Sequence, residues 1–196
     1  MSKQINVALV GNPNTGKTSV FNQLTGLNQK VGNYPGITVE KKEGTCKLDR
    51  GVKAHILDLP GTYSLNTTSL DESVAVEILL NKKDKNHPDV AVVITDVENL
   101  KRNLLLFTQI KDLKIPAILV INMADRMSRK GISIDIAQLE DRLSTKIALV
   151  STRKSTGIEH LKSLIADYKK LSAKPNIDTS VIAPDYFAEL QKTYPK

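Results

Sequence analysis

Residues 11–18 read GNPNTGKT and fit the phosphate-binding pattern G-x-x-x-x-G-K-[ST] at every fixed position. An apolar, β-type run, 5–10, precedes this loop and a helix-like segment, 19–24, follows it, which is the setting that makes the pattern informative. In such a loop, successive backbone N–H groups converge on phosphate oxygens at a helix N-terminus, whose dipole favours anions. Lys17 is expected to neutralise the β- and γ-phosphates, and the Thr18 hydroxyl is expected to bind Mg²⁺. The sequence therefore predicts a nucleoside triphosphate site with Mg²⁺, rather than a glycine-rich turn with a chance Lys-Thr pair.

The composition is that of an ordinary globular protein. The chain has 196 residues, of which 40% are hydrophobic and 25% are charged, and a domain of that length can bury a sizeable core. No run approaches the roughly 18–20 consecutive apolar residues of a membrane helix, and the N-terminus does not resemble a signal peptide. The single cysteine, Cys46, agrees with a reducing compartment. We therefore expect a soluble piece of protein.

The net charge of +7 raises the question of a nucleic-acid partner. The lysines are scattered along the chain instead of forming one basic block. Three phenylalanines, five tyrosines and no tryptophan also leave little material for base stacking. We expect no nucleic acid as a partner and interpret the charge as a solvated surface, although a membrane-proximal location would also suit its sign.

Apolar, β-branched runs alternate with segments of helical period along the chain. The runs 90–95 and 116–121 are apolar on both faces, as expected for central parallel strands covered by helices. Only residues 49–50 separate the strands 39–48 and 51–57, which is too short for a crossover helix, so we expect a hairpin there. The prediction is an α/β fold with a six-stranded, mostly parallel sheet, one antiparallel edge strand and helices on both faces. The expected strands are 5–10, 39–48, 51–57, 90–95, 116–121 and 146–150, and the expected helices are 17–25, 71–80, 100–114, 135–144 and 157–171.

This alternation weakens towards the C-terminus. Residues 172–176 have the composition of a linker, and 184–194 are expected to form one short amphipathic helix. We therefore divide the chain into a domain at 1–171 and a C-terminal extension at 172–196.

A second motif indicates which base is bound. Residues 122–125, Asn-Met-Ala-Asp, directly follow the predicted strand that ends at Ile121, and ligands of open α/β sheets bind at such carboxyl ends. The Asp125 carboxylate can accept hydrogen bonds from guanine N1–H and the exocyclic amino group, and adenine offers neither donor there. Asn122 is expected either to bind the N7 edge of guanine or to brace neighbouring loops. The motif resembles the [NT]-K-x-D motif of GTPases, with Met123 in place of the lysine whose aliphatic stem a thioether can replace.

Further segments resemble GTPase motifs in their order and spacing. Residues 58–61 match D-x-x-G, in which Asp58 would hold Mg²⁺ through water and the Gly61 N–H would sense the γ-phosphate. Upstream, Thr38 would join the Mg²⁺ shell when a triphosphate is bound. Thr62 stands where Ras-type enzymes carry the glutamine that orients the attacking water. Because threonine is too short to reach the same point, slow intrinsic hydrolysis is expected.

Longer segments resemble one family specifically. Residues 31–44, VGNYPGITVEKKEG, together with 11–26 and 58–65, closely resemble the N-terminal G domain of the FeoB family of bacterial ferrous-iron transport proteins, over about residues 3–170. The resemblance implies a P-loop GTPase fold of the TrmE–Era–EngA type, acting as a slow GTP-hydrolysing switch that regulates ferrous iron transport across the bacterial inner membrane. It also implies a location at the cytoplasmic face of that membrane. A helical spacer, of which 172–196 would be the truncated start, and a polytopic membrane transport domain would follow as partners of the G domain.

Asn14 carries a prediction about catalysis. It resembles the asparagine of potassium-stimulated GTPases, whose side-chain oxygen ligates a monovalent cation beside the phosphates. In the FeoB family, backbone oxygens around Gly32 and Asn33 contribute to this potassium site. Such a cation would neutralise transition-state charge as an arginine finger does. Asparagine is also a common loop residue, so the alternative without a catalytic role stays open.

Two alternatives to a regulatory GTPase remain. One is a nucleotide-sensing module in which hydrolysis is incidental, and slow turnover keeps this alternative open. The other is a ribosome-assembly GTPase, which shares the asparagine-bearing loop but usually carries an RNA-binding appendage. Self-association is a further partner hypothesis that the sequence does not test.

The predicted site residues fall into three groups. The candidates for catalysis are Lys17, Asn14, Thr38 and Gly61. The candidate metal ligands are Thr18, Thr38 and Asp58 for Mg²⁺, and Asn14, Gly32 and Asn33 for potassium. The candidate nucleotide contacts are Gly11, Asn12, Pro13, Asn14, Thr15, Gly16, Lys17, Thr18, Ser19, Asn122, Met123 and Asp125, with Ser151, Thr152 and Arg153 in a segment that resembles the last guanine-binding loop of GTPases.

Overall fold

One sheet of seven strands organises the computed structural model, which describes residues 4–48, 51–67 and 69–175. The strands are β1 (Gln4–Gly11), β2 (Gln29–Asn33), β3 (Glu40–Lys47), β4 (Lys53–Asp58), β5 (Val90–Asp96), β6 (Ala117–Asn122) and β7 (Lys146–Leu149). Their order across the sheet is β2-β3-β4-β1-β5-β6-β7. In the part of the sheet ordered β4-β1-β5-β6-β7, neighbouring strands are parallel, whereas β3 is antiparallel to both β2 and β4.

Helices cover both faces of this sheet. The helices are α1 (Lys17–Thr25), α2 (Leu70–Leu80), α3 (Leu100–Asp112), α4 (Met127–Lys130), α5 (Ile136–Leu143) and α6 (Ile158–Ala166), with 3₁₀ turns at Ala124–Arg126 and Tyr168–Lys170. Apolar side chains of α2, α3 and α5 pack against one face, and those of α1 and α6 pack against the other. Within the described ranges, no helix has the length and apolar character that crossing a membrane requires.

Strand β5 shows why the central strands have continuous apolar sequences. All seven of its residues are buried. Val90, Val92 and Ile94 belong to the core cluster that includes α1 and α6, while Ala91 and Val93 belong to the cluster that includes α2 and α3. Successive side chains of a strand point to opposite faces, so both sets must be apolar when both faces are covered. The predicted α/β class with helices on both faces is confirmed.

The predicted count of six strands is wrong by one, because β2 was not expected. All five residues of β2 are exposed. A strand without a buried face leaves no apolar pattern in the sequence, and β2 is held by backbone pairing with β3, from Gln29 opposite Gly44 to Asn33 opposite Glu40. The expected hairpin of β3 and β4 is confirmed. Since β2 forms the edge, however, β3 lies inside the sheet.

The C-terminal helix is shorter than predicted. The expected helix 157–171 is helix α6, which ends at Ala166 and is followed by the 3₁₀ turn Tyr168–Lys170. The described chain continues to Pro175. The helix predicted at 184–194 lies outside the described residues, so the division of the chain at residue 171 stays a prediction.

Candidate nucleotide-binding site

The predicted phosphate loop connects β1 to α1, and two of its residues adopt a left-handed backbone. Gly16, the N-cap of α1, has a φ of 81°, and Asn14 has a φ of 67°. A Cβ atom at Gly16 would collide with Nδ2 of Asn122, so only glycine fits there. The Thr15 hydroxyl donates to the carbonyl of Asn12 at 2.9 Å and closes the turn. This alternation of backbone conformation is the geometry in which successive N–H groups form an anion-binding concavity.

A cleft of about 320 Å³ beside the start of α1 brings two predicted motifs together. It is lined by Lys17 and Thr18 of the phosphate loop and by Asp58 and Gly61 of the D-x-x-G segment. The Lys17 ammonium forms an ion pair with the Asp58 carboxylate, and these side chains are only 12% and 4% exposed. The Thr18 hydroxyl and the Asp58 carboxylate are oxygen donors of the kind that Mg²⁺ takes from proteins. The residues of this cleft therefore fit a phosphate group with its Mg²⁺.

Thr62, at the position of the Ras glutamine, faces the protein interior. It is fully buried, and its backbone N–H donates to the carbonyl of Gly11 at 3.2 Å. Its hydroxyl donates to the carbonyl of Ser64 at 2.6 Å and lies 3.3 Å from Oε1 of Glu72. Because this buried hydroxyl is hydrogen-bonded to Ser64, it does not orient a water molecule in the cleft.

Helix α2 and its N-cap contribute residues to the cleft that were not among the predicted site residues. Ser69, Asp71 and Glu72 line the phosphate cleft. Ser69 caps the helix by accepting a hydrogen bond from the Glu72 N–H at 3.3 Å. A serine followed by acidic residues is a sequence signal for a helix N-terminus. That signal indicates where the helix begins but not that its first turn lies beside the cleft.

The structure does not bring the loop between β2 and β3 into this cleft completely. Residues 39–40 line the cleft, whereas Thr38 is exposed. Gly32 and Asn33 are exposed residues of β2. Among the hydrogen bonds of the described residues, none joins Asn14 to Gly32 or Asn33. The Mg²⁺ role of Thr38 and the potassium site therefore stay predictions.

A second cleft, of about 400 Å³, lies at the carboxyl ends of β6 and β7. This is the end of the sheet at which the base was predicted to bind. The predicted nucleotide contacts that line it are Gly16, Ser19, Asn122, Met123, Asp125, Thr152 and Arg153.

Asn122 braces loops in this structure, which is one of its two expected roles. Its Nδ2 donates to the carbonyl of Thr15 at 3.0 Å, and its Oδ1 accepts from the backbone N–H of Thr152 at 3.4 Å. The side chain is buried. One asparagine therefore joins the phosphate loop, the end of β6 and the loop after β7.

Asp125 is oriented by Ser151. The Ser151 hydroxyl donates to Oδ1 of Asp125 at 2.7 Å and accepts from the N–H of Lys154 at 3.2 Å. The hydrogen bond from Ser151, together with the nearby charges of Arg153 and Lys154, lowers the pKa of Asp125, which favours the ionised form that accepts hydrogen bonds. The backbone N–H of Ser151 donates to the carbonyl of Thr156 at 3.1 Å. Ser151 therefore contributes to this site through its side-chain hydroxyl, which orients Asp125.

Comparison with known proteins shows the family. Residues 5–165 match the N-terminal family model described as ferrous iron transport protein B. The Fe(2+) transporter FeoB of Leptospira biflexa is 44% identical over 164 residues, which cover 84% of this chain and 23% of the relative. That of Escherichia coli K12 is 46% identical over 173 residues, which cover 85% and 22%. The chain thus spans less than a quarter of the length of these curated relatives.

Solved structures of FeoB proteins have the same fold. The cytosolic domain of L. pneumophila FeoB aligns with a TM-score of 0.83 and 35% identity, covering 95% of this chain and 78% of that one. The G domain of T. maritima FeoB aligns with a TM-score of 0.77 and 37% identity, covering 85% and 99%. A mutant S. thermophilus NFeoB bound to GDP aligns with a TM-score of 0.83 and 34% identity, covering 99% and 73%. The chain belongs to the FeoB family and contains its N-terminal GTPase (G) domain.

Proposed function

We propose that this chain is a slow, potassium-stimulated GTPase that acts as the switch of a ferrous iron transporter. One observation carries the proposal. The Lys17–Asp58 ion pair in the phosphate cleft and the Ser151–Asp125 hydrogen bond in the base cleft lie at the carboxyl ends of the parallel strands of one sheet. Groups suited to phosphate and Mg²⁺ follow β1 and β4, groups suited to guanine follow β6 and β7, and ligands of open α/β sheets bind at such carboxyl ends.

Each group has a defined part in this proposal. The loop N–H groups and Lys17 bind the β- and γ-phosphates, and Asp125 selects guanine. Thr18, Thr38 and Asp58, the last through water, would hold the Mg²⁺, which supplies charge neutralisation on the phosphates. The Gly61 N–H would contact the γ-phosphate. Thr38 is exposed outside the cleft in this structure, so its contribution requires the loop between β2 and β3 to close when triphosphate binds.

Slow hydrolysis follows from the position of Thr62. With this hydroxyl buried and bonded to Ser64, water must be oriented by another group, and we expect intrinsic rates on the order of 10⁻⁴–10⁻² s⁻¹. A potassium ion held by Asn14 and the backbone of Gly32 and Asn33 would sit where charge develops between the β- and γ-phosphates and raise this rate.

The proposed role in iron transport rests on membership of the FeoB family, whose curated members are much longer than this chain. In a full-length protein this domain would lie at the cytoplasmic face of the inner membrane, joined through residues 172–196 to a helical spacer and a membrane transport domain. Regulation of iron transport would then follow from the effect of bound GTP on that spacer. Self-association of the domain is compatible with such an arrangement.

A nucleotide-sensing module with incidental hydrolysis is the second candidate. The buried hydroxyl of Thr62 favours it, because a slow enzyme can act mainly through the bound nucleotide. In this case GTP and GDP would still switch the loop 31–38, but potassium would have no effect on turnover.

Single-turnover GTP hydrolysis in potassium and in sodium separates the two candidates. We expect faster hydrolysis in potassium, since sodium is smaller and would fit the same oxygens poorly. Asn14→Ala should remove most of the potassium effect and leave GDP affinity nearly unchanged, because Lys17, Thr18 and the loop amides remain. Equal wild-type rates in the two salts would reduce Asn14 to a loop residue and favour the sensing module.

A further inference from the structure

A buried chain of polar side chains runs from the end of β5 to the phosphate loop. Asp96 ends β5, Asn103 lies in α3 and Asn12 lies in the loop, and they are 5%, 1% and 2% exposed. Nδ2 of Asn103 donates to Oδ2 of Asp96 at 3.2 Å, and Nδ2 of Asn12 donates to Oδ1 of Asn103 at 3.4 Å. These hydrogen bonds link the loop to a helix that does not line either nucleotide cleft.

Asp96 fixes the direction of every hydrogen bond in this series, because its carboxylate oxygens accept hydrogen bonds from N–H groups. Its Oδ1 accepts from the N–H groups of Glu98 and Asn99 at 3.0 and 2.9 Å and from Nδ2 of Asn99 at 3.0 Å. Its Oδ2 is therefore the acceptor for Asn103. Asn103 must turn its amino group towards Asp96, which leaves its side-chain oxygen facing the phosphate loop. Asn12 must then donate to that oxygen with its own amino group.

The orientation imposed on Asn12 is not one that its own hydrogen bonds would select. Its Oδ1 is buried and has no hydrogen-bond partner among the described residues. A buried acceptor without a donor is unfavourable, because it has lost its hydrogen bond to water and gained none in return. Flipping the amide would place two carbonyl oxygens, of Asn12 and Asn103, against each other. The orientation of Asn12 is therefore set from Asp96 through Asn103.

Asn12 in turn determines the shape of the phosphate loop. The backbone carbonyl of Asn12 accepts hydrogen bonds from both the hydroxyl and the backbone N–H of Thr15, at 2.9 and 3.4 Å. The carbonyl of Thr15 accepts from Asn122, Asn14 lies within this turn, and Lys17 follows it as the first residue of α1. A small displacement of Asn12 would move the groups that are to surround the γ-phosphate.

We propose that Asn103 is a positioning residue for GTP hydrolysis: anchored by Asp96, it holds Asn12 and thereby keeps the phosphate loop in the geometry needed for phosphoryl transfer. The proposal rests on the GTPase function proposed above. It assigns Asn103 no contact with the nucleotide, so its effect should appear in turnover more than in binding.

The first test is Asn103→Ala, measured by single-turnover hydrolysis at saturating GTP in potassium. We expect the rate to fall about tenfold while the Kd for GDP changes less than about threefold, because sub-ångström displacements of catalytic groups affect the transition state most. Thr108→Ala is the matched control on α3, since the Thr108 hydroxyl donates only to the carbonyl of Leu105 within that helix. It should hydrolyse GTP at the wild-type rate. If Asn103→Ala does not fold, Asn103→Leu, which is similar in size and offers Asp96 no donor and Asn12 no acceptor, carries the same expectation.

A double-mutant cycle with Asn12→Ala distinguishes positioning from general destabilisation. If Asn103 acts through Asn12, the double variant should be no slower than the slower single variant, within about twofold. Multiplying defects, or a wild-type rate in Asn103→Ala with only a lower melting temperature, would overturn the proposal.

The same cycle is run on the affinity for GDP with aluminium fluoride, a mimic of the transferring phosphoryl group. Absence of hydrolysis in the wild type would refute the proposed GTPase function. The binding cycle would still decide whether Asn103 positions the loop, because we expect Asn103→Ala to lose affinity for the mimic and to keep its affinity for GDP. Equal losses for the two ligands would overturn the role of Asn103.

Discussion

The Ser151 hydroxyl donates to Oδ1 of Asp125 across 2.7 Å, so the loop after β7 orients the carboxylate that follows β6. Strands β6 and β7 are parallel neighbours, and their carboxyl ends present the two residues side by side. The same hydrogen bond lowers the pKa of Asp125. The group predicted to recognise guanine is thus oriented by its neighbour in space, and its pKa is lowered by the same contact.

Asp125→Asn should change the base preference. The amide loses one acceptor for the paired donors of guanine, which we expect to weaken GTP affinity by roughly 2–4 kcal/mol, by analogy with other truncated charged hydrogen bonds. Xanthine nucleotides, which carry a carbonyl in place of the exocyclic amino group, should gain relative to GTP. Competition binding of GTP and XTP measures both effects. Unchanged preference for GTP would refute the assignment of Asp125.

Ser151→Ala should weaken nucleotide binding without changing the preferred base. Removing the hydroxyl leaves Asp125 ionised but less well oriented, and a loss of about three- to tenfold in GTP affinity corresponds to one ordinary hydrogen bond. Isothermal titration with GTP and XTP provides the measurement. Ser155→Ala is the control in the same loop, because the Ser155 hydroxyl contacts Gln23. An equal loss of affinity in both variants would show that the loop, and not the hydrogen bond to Asp125, is responsible.

The segment 31–38, which contains the end of β2 and most of the loop before β3, should be ordered by triphosphate. Thr18 would ligate Mg²⁺ with either nucleotide, whereas Thr38 would do so only when the γ-phosphate is present. Hydrogen exchange of the loop should therefore slow with a non-hydrolysable GTP analogue and not with GDP, and Thr38→Ala should abolish the difference. Equal protection with the two nucleotides in the wild type would contradict this mechanism.

Phe107→Ala should strongly destabilise the fold. Phe107 is a fully buried residue of α3 in the core cluster shared with α2, and truncating such a ring costs about 3–5 kcal/mol. Leu105→Ala on the same helix is the control, because Leu105 is 56% exposed and should change the free energy of unfolding by no more than about 0.5 kcal/mol. Urea unfolding monitored by circular dichroism compares the two. Similar losses in both variants would contradict the assignment of α3 to the core.

Local sequence was sufficient for features that depend on neighbours along the chain. The loop 11–18 could be predicted because its glycines and its flanking strand and helix are contiguous in sequence. Strands β5 and β6 could be predicted because burial on both faces requires an unbroken apolar run. The hairpin of β3 and β4 followed from a connection too short for any other arrangement.

Only the tertiary structure decided the features that depend on contacts between distant segments. Strand β2 exists because its backbone pairs with β3, and a fully exposed strand leaves no side-chain pattern to detect. Ser151 contacts Asp125, and Asn103 contacts Asn12, only because the sheet aligns the ends of its parallel strands and α3 packs beside them. The sequence by itself predicted which residues would bind phosphate and guanine. The fold decided how each is held, because hydrogen-bond partners are chosen by distance in space and not by separation in sequence.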